Sequence, residues 1–214
     1  MRRSFLFPIC LICSALSLQG QELRVGLYEG KTFSRDVDNY HYTADYYQGT
    51  IKGERRHGIG VGLFLENSYS LELLYYHQDT KVPTTFHTTG ITAQHQFDMT
   101  IQWMLLEFVA FLTKKGLKPF LGSDIGMGLL TLKDPVLGDR SSRVKFTWGG
   151  NLGLEYAFRK LVSIRLKADL LYSVKFNYAV SGNPLNSNIT AYNHYLQSAI
   201  NGGIIFRFGL AKKK

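Results

Sequence analysis

Acids and bases recur at alternate positions of otherwise apolar stretches. The acids are Glu72, Glu107, Asp124, Glu155 and Asp169, and the bases are Arg24, Lys145, Arg165, Lys167 and Arg207. Brought into one enclosed space, such groups could line a narrow polar pore or a proton path. They could equally neutralise one another as a filling of paired charge, which must be hydrogen-bonded to offset its desolvation. Six histidines, His41, His57, His77, His87, His95 and His194, fall in or beside polar connecting stretches. Imidazole is a common metal ligand, but these spacings match no helical ligand pair. Asp36-Val37-Asp38-Asn39 hints at calcium, yet it lacks the glycine and the distal glutamate of a calcium loop. No metal, cofactor or catalytic site is expected.

The elements that must position these charges are strands. Residues 143–172 read as a hairpin with a turn near Arg159-Lys160. Phe146, Trp148, Leu152, Leu154 and Tyr156 share one face of its first strand, opposite Lys145, Thr147, Asn151 and Glu155. Its second strand sets Val162, Ile164, Leu166, Ala168, Leu170 and Tyr172 against Ser163, Arg165, Lys167 and Asp169. Strict period two is the mark of a strand with two different faces. Five further strands follow the same rule, at about residues 23–29, 58–66, 69–77, 117–132 and 198–208. The fourth in order, within 97–113, is less regular. Phe97, Met99, Ile101, Trp103 and Leu105 agree in parity, then Leu106, Phe108, Ala110 and Leu112 take over, which predicts a bulge near residues 104–106 with Glu107 inside. Residues 31–57, 78–96 and 173–197 read as long polar loops, and 133–142 as a medium one.

This gives eight strands with long and short connections in alternation. The polar face carries charge and glycine, while the other face is large and aliphatic. A soluble sandwich or lipocalin-like barrel would put its apolar face inside and would leave these charges costly to bury. The pattern predicts an all-β, eight-stranded, antiparallel up-and-down transmembrane barrel, with short periplasmic turns, long extracellular loops and both termini in the periplasm. Aromatics fall where two membrane girdles should lie: Tyr69, Phe111, Tyr156 and Phe208 near the short turns, Tyr75, Trp103, Trp148 and Tyr172 toward the long loops. Residues 1–20 read as a secretory signal, with Arg2-Arg3 before an apolar run, and 21–214 as the barrel. Both cysteines, Cys10 and Cys13, lie in the signal, so no disulfide is expected. The formal charge of +9 comes from dispersed lysines and arginines plus Lys212-Lys213-Lys214. Without a basic motif or helix, nucleic acid is not an expected partner.

Leu106-Glu107-Phe108 followed by Lys118-Pro119-Phe120-Leu121-Gly122-Ser123-Asp124-Ile125-Gly126-Met127-Gly128, and then Gly150-Asn151-Leu152-Gly153-Leu154-Glu155-Tyr156, resemble the outer-membrane β-barrel (PorT-like) family of Bacteroidetes-type bacteria. The resemblance implies an outer-membrane location and permits a role in secretion or assembly. The chain departs from it in lacking a proline at Val109 or Ala110 and in carrying six residues, Gly209 to Lys214, after its last aromatic. Eight strands enclose just enough room for side chains. The expected protein is therefore a small outer-membrane barrel with a filled polar interior and a structural or surface-interaction role, contacting outer-membrane lipid and, through its outer loops, a surface or envelope protein. Tyr40, Tyr42, Tyr46 and Tyr47, interleaved with Asp38, His41 and Asp45, suit an adaptable recognition surface. The alternatives are a narrow pore, a secretion component, or an outer-membrane enzyme modifying lipid A. For the last, only His194 and Ser198, on one strand face, offer nucleophile chemistry.

Overall fold

The computed structural model describes residues 22–39, 46–65, 68–88, 91–113, 116–174 and 195–209. The signal segment, His41, His194 and the tyrosines 40 and 42 lie outside them. Ten strands occur among the described residues: β1 (Glu22–Thr32), β2 (Arg35–Asn39), β3 (Tyr46–Ile51), β4 (Arg55–Leu65), β5 (Tyr69–Thr88), β6 (Ile91–Phe111), β7 (Leu117–Lys133), β8 (Arg140–Arg159), β9 (Val162–Ser173) and β10 (Tyr195–Gly209). Eight of them, β1 and β4 to β10, pair antiparallel with their neighbours in order. The ring closes where β1 meets β10, from Glu22 opposite Gly209 to Thr32 opposite Ala199. Short turns join β4 to β5, β6 to β7 and β8 to β9 at the end where β1 begins and β10 finishes.

Two stretches expected to be loops are strands. Residues 78–96 continue β5 and β6 as one long hairpin, paired without a break from Tyr69 opposite Ala110 to Thr88 opposite Ile91. Residues 35–39 and 46–51 pair as β2 and β3, and β3 pairs with the far end of β5, Gly49 opposite Thr84. The polar composition masked an alternation that serves packing: Ile51, Val82, Phe86 and Phe97 are buried in this extension, with Phe86 edge-on to Phe97 at 6.3 Å.

The bulge expected in β6 is absent. Its pairing with β7 runs unshifted from Asp98 opposite Lys133 to Phe111 opposite Phe120. One parity holds throughout, so Phe97, Met99, Ile101, Trp103, Leu105, Glu107, Val109 and Phe111 all point inward. The change at residue 106 is in the chemistry of the lumen, which is apolar above and charged below, and not in the register. The irregularity that does occur lies in the β8–β9 hairpin, between Ala157 and Arg159 beside its turn.

Glycine on the inner wall makes room for large side chains. A Cβ at Gly203 would fall 2.6 Å from the Tyr28 ring, and one at Gly26 would fall 2.7 Å from it. The Tyr28 ring can therefore lie against the inner wall only because both neighbours are glycine. Gly202, one residue away and facing outward, has nothing within 4 Å of its Cβ position. Gly203→Leu should therefore destabilise the barrel by about 1–3 kcal/mol through overpacking, while Gly202→Leu leaves the urea midpoint in detergent near that of the parent.

Candidate functional site

Charges of the central lumen, joined by the neutral Tyr28, Asn151 and Asn201, form one connected network that draws on all eight barrel strands. Arg165 on β9 lies at its centre. Its guanidinium donates to Glu72 on β5 at 2.6 Å and to Glu155 on β8 at 2.9 and 3.0 Å, and it approaches Glu107 on β6 at 3.5 Å. The Tyr28 hydroxyl on β1 donates to Glu72 at 2.7 Å and lies 3.1 Å from the same guanidinium. Toward the short turns, Arg24 donates to Glu155 at 3.1 Å and to Glu22 at 2.8 Å. Toward the outer end, Lys167 donates to Glu107 at 2.5 Å and lies 3.6 Å from Asp169. Asp169 pairs with Arg56 on β4, and Asn201 on β10 donates to it at 2.7 Å. Asn151 spans Glu107 and Asp124 at 2.8 and 2.9 Å.

Apolar layers close the network at both ends. Below it, Phe64, Val109, Phe111 and Phe120 cluster, with the Arg24 guanidinium 3.8 Å from the centre of the Phe64 ring. Above it, Leu74, Tyr76, Ile101, Trp103, Leu105, Leu130 and Leu171 belong to one packed cluster. The Arg56 guanidinium sits 4.2 Å from the Tyr76 ring centre, at the boundary between charge and aromatic. Such contacts keep a desolvated cation in a favourable field.

Glu72, Glu107, Asp124, Glu155, Arg165, Lys167 and Asp169 all face the interior and are buried. Arg207 does not join the central group. It is partly exposed at the rim, where it donates to Glu22 at 2.8 and 2.9 Å. Lys145 is buried further out on β8. Of the aromatics, Tyr69, Tyr75, Trp148, Tyr156 and Phe208 are exposed on the outer wall, and Tyr172 lies against Trp148 with centroids 5.5 Å apart. Trp103 is not a girdle residue: the unbroken parity of β6 turns it inward, fully buried, and places Phe111 in the lower interior cluster.

Arg56, Gln78, Gln197 and Lys118 are among the interior residues that sequence reasoning missed. Arg56 was hidden inside a presumed loop, although it shares parity with Gly58, Gly60 and Gly62. Tyr28 alternates with Arg24 and Gly26, so its face was legible but its hydrogen bond to Glu72 was not.

At the outer end, the β2–β3 and β5–β6 hairpins enclose an open cleft of about 740 Å³. Its lining includes Asp36, Gln48, Thr50, Thr84, Gln94 and His95. Asp36 is already held, accepting a hydrogen bond from Thr50 at 2.8 Å. Its presence here, rather than in a calcium loop, follows from the β2–β3 pairing. Beside this cleft, residues 134–139 make a tight turn built on Asp134. The Asp134 carboxylate accepts from the amides of Val136 and Leu137 at 2.8 and 3.0 Å and lies 3.0 Å from His95 Nε2. Burial alone would raise this carboxyl; the two amides and His95 outweigh it and hold it below its ordinary value of 3.8.

No protein-family model matches the chain, and no curated protein matches it. Solved structures do. Neisserial surface protein A (NspA) superposes with a TM-score of 0.56 at 13% identity, covering 89% of this chain and 100% of that one. The outer membrane protein OprG from Pseudomonas aeruginosa gives 0.49 at 11% identity, covering 90% and 97%. The N-terminal β-barrel domain of Pseudomonas aeruginosa OprF gives 0.44 at 16% identity, covering 89% and 100%. The fold is that of a small eight-stranded outer-membrane β-barrel.

Arg165→Met leaves Glu72 and Glu155 buried without their partner. Breaking a buried pair in this way costs about 3–5 kcal/mol, read as a lower urea midpoint of heat-modifiable mobility on gels, while Arg207→Met at the rim costs much less. The lowered Asp134 value fixes a second outcome. Its contribution to the outer turn is complete above the ordinary carboxylate value and is lost as pH falls through the lowered one. Hydrogen exchange of the Val136 and Leu137 amides should stay protected from neutral pH down to about 4 and open below it.

Proposed function

We propose that the protein resides in a bacterial outer membrane after removal of residues 1–20, performs no catalysis, and acts by presenting its outer hairpins to a surface or envelope partner. One observation carries this reading: the barrel is inverted relative to a soluble one. Leu27, Ile59, Leu73, Met104, Ile125, Leu152, Leu166 and Ile204, drawn from all eight strands of the ring, are each about half exposed on the outer wall. A soluble monomer rarely shows a contiguous apolar patch beyond about a few hundred Å², and here the patch encircles the molecule. Hydrocarbon is the solvent such a wall suits.

The paired charges and the apolar layers at both ends argue against a narrow pore. The resemblance to PorT-like barrels and a secretion or assembly role belong to this proposal as its narrower form, and the partner contact would fall on the outer cleft. Lipid A modification remains the enzymatic rival.

Purified protein in planar bilayers should give no steady conductance; a stable single-channel step would favour the pore. The lipid A mass spectrum should be the same from cells with and without the protein, and a change in acyl chains would favour the enzyme. The wall itself is tested with the two tryptophans. Brominated acyl chains should strongly quench Trp148 in a Trp103→Phe variant and barely quench Trp103 in Trp148→Phe. Equal quenching would sink the lipid-facing assignment.

A further inference from the structure

Immediately beyond the apolar belt, the outer wall of β1, β4, β5 and β6 carries a row of polar side chains. Register places Glu29 directly opposite His57, His57 opposite His77, and His77 opposite Gln102. Asp79 follows His77 on the same face of β5. We propose that Glu29, His57, His77 and Asp79 form a binding site for a transition-metal dication of the Zn²⁺ class on this outer wall.

Directly opposed residues have Cβ atoms about 4.5–5.5 Å apart, a separation at which two imidazoles can meet one ion at bonds of about 2.0–2.1 Å. The remaining contacts supply what such an ion requires. Glu29 bonds His57 at Nδ1, the carboxylate–histidine arrangement that orients a ligating ring and presents its other nitrogen. His77 Nε2 lies 3.1 Å from Asp79 Oδ2, with Gln102 3.4 Å from its Nδ1. Thr100 donates to the other Asp79 oxygen at 2.7 Å. The imidazoles of His57 and His77 with the Asp79 carboxylate are a donor set that Zn²⁺ and its neighbours prefer over Mg²⁺ or Ca²⁺, and Asp79 with Glu29 behind His57 neutralises a dication beside Lys31 and Arg55, which face each other one step further out.

Among the described residues no three such groups already converge on one point. Here His77 is turned to Asp79. Rotation of the exposed His57 ring and the partly exposed His77 ring about their side-chain bonds, with the backbone fixed by the barrel, turns both toward a shared ion beside Asp79.

The test is calorimetric titration of the full-length protein in detergent with ZnCl₂. The expected result is saturable one-to-one uptake that weakens at least about 10-fold in His57→Ala and in His77→Ala, and is unchanged in His87→Ala on the outer hairpin. Heat-modifiable mobility shows that each variant is folded, and since both rings point away from the packed interior, all should be. Absence of saturable uptake by the parent, unchanged affinity in either His57→Ala or His77→Ala, or equal loss in His87→Ala overturns the site.

Discussion

Arg165 and the carboxylates around it set the terms on which this barrel can close. Taking an ion out of water costs several kcal/mol, and its partners return that only when the geometry is good and the remaining hydrogen-bonding positions are filled. Here the partners come from different strands: Glu72 from β5, Glu107 from β6 and Glu155 from β8 converge on one β9 guanidinium, while Arg24 on β1 and Arg56 on β4 hold the ends of the same network. No subset of strands can satisfy these groups. A partly closed sheet would leave several charges desolvated and unpaired, so the network rewards the complete ring and discriminates against open or slipped forms. Sliding any strand by one residue would also turn its whole inner set outward.

The same constraint explains the contents of the rest of the lumen. A charge network is strong only where water is scarce, and the apolar layers above and below it exclude water. Phe64 and Phe120 beneath the network and Tyr76 above it lie against its cations, so these rings act both as seals and as partners. Tyr28 reaches past β4 to Glu72 along the inner wall, and Gly26 and Gly203 are the space its ring needs. The layered interior also accounts for the long β5–β6 extension. Its buried Val82, Phe86 and Phe97 continue the upper layer beyond the belt, and they pack as a soluble protein packs, inside against inside.

This layering decides what the sequence could reveal. In β9, polar inside and apolar outside coincide with period two, so Ser163, Arg165, Lys167 and Asp169 read directly as lumen residues. In β6 the contrast changes faces: above, Met99, Ile101 and Trp103 fill the lumen and Asp98, Thr100 and Gln102 face out, whereas below, Leu106 and Phe108 face out opposite Glu107. Alternation of polarity swaps faces near residue 105 while alternation of direction does not, and a bulge was the wrong reading of that swap. The opposite failure occurred at residues 31–57 and 78–96. Above the apolar belt both strand faces can be polar, so regular pairing resembles a loop. Chain closure and the eight-strand count survived both errors because the short turns and the lower halves of the strands kept their contrast.

Juxtaposition across strands was beyond the reach of spacing altogether. His57 and His77 are separated by a turn and most of two strands, and nothing in the chain between them announces that they oppose one another. Register does, and register is dictated by the interior, where the glycines at 58, 60 and 62 must meet Tyr76, Leu74 and Glu72. The packing of the lumen therefore fixes which outward groups become neighbours. A wall position can be exchanged without touching the network, yet its neighbours are held to within the tolerance of a packed core. That separation places stability inside the barrel and leaves recognition to the rigidly spaced groups of its outer wall and hairpins.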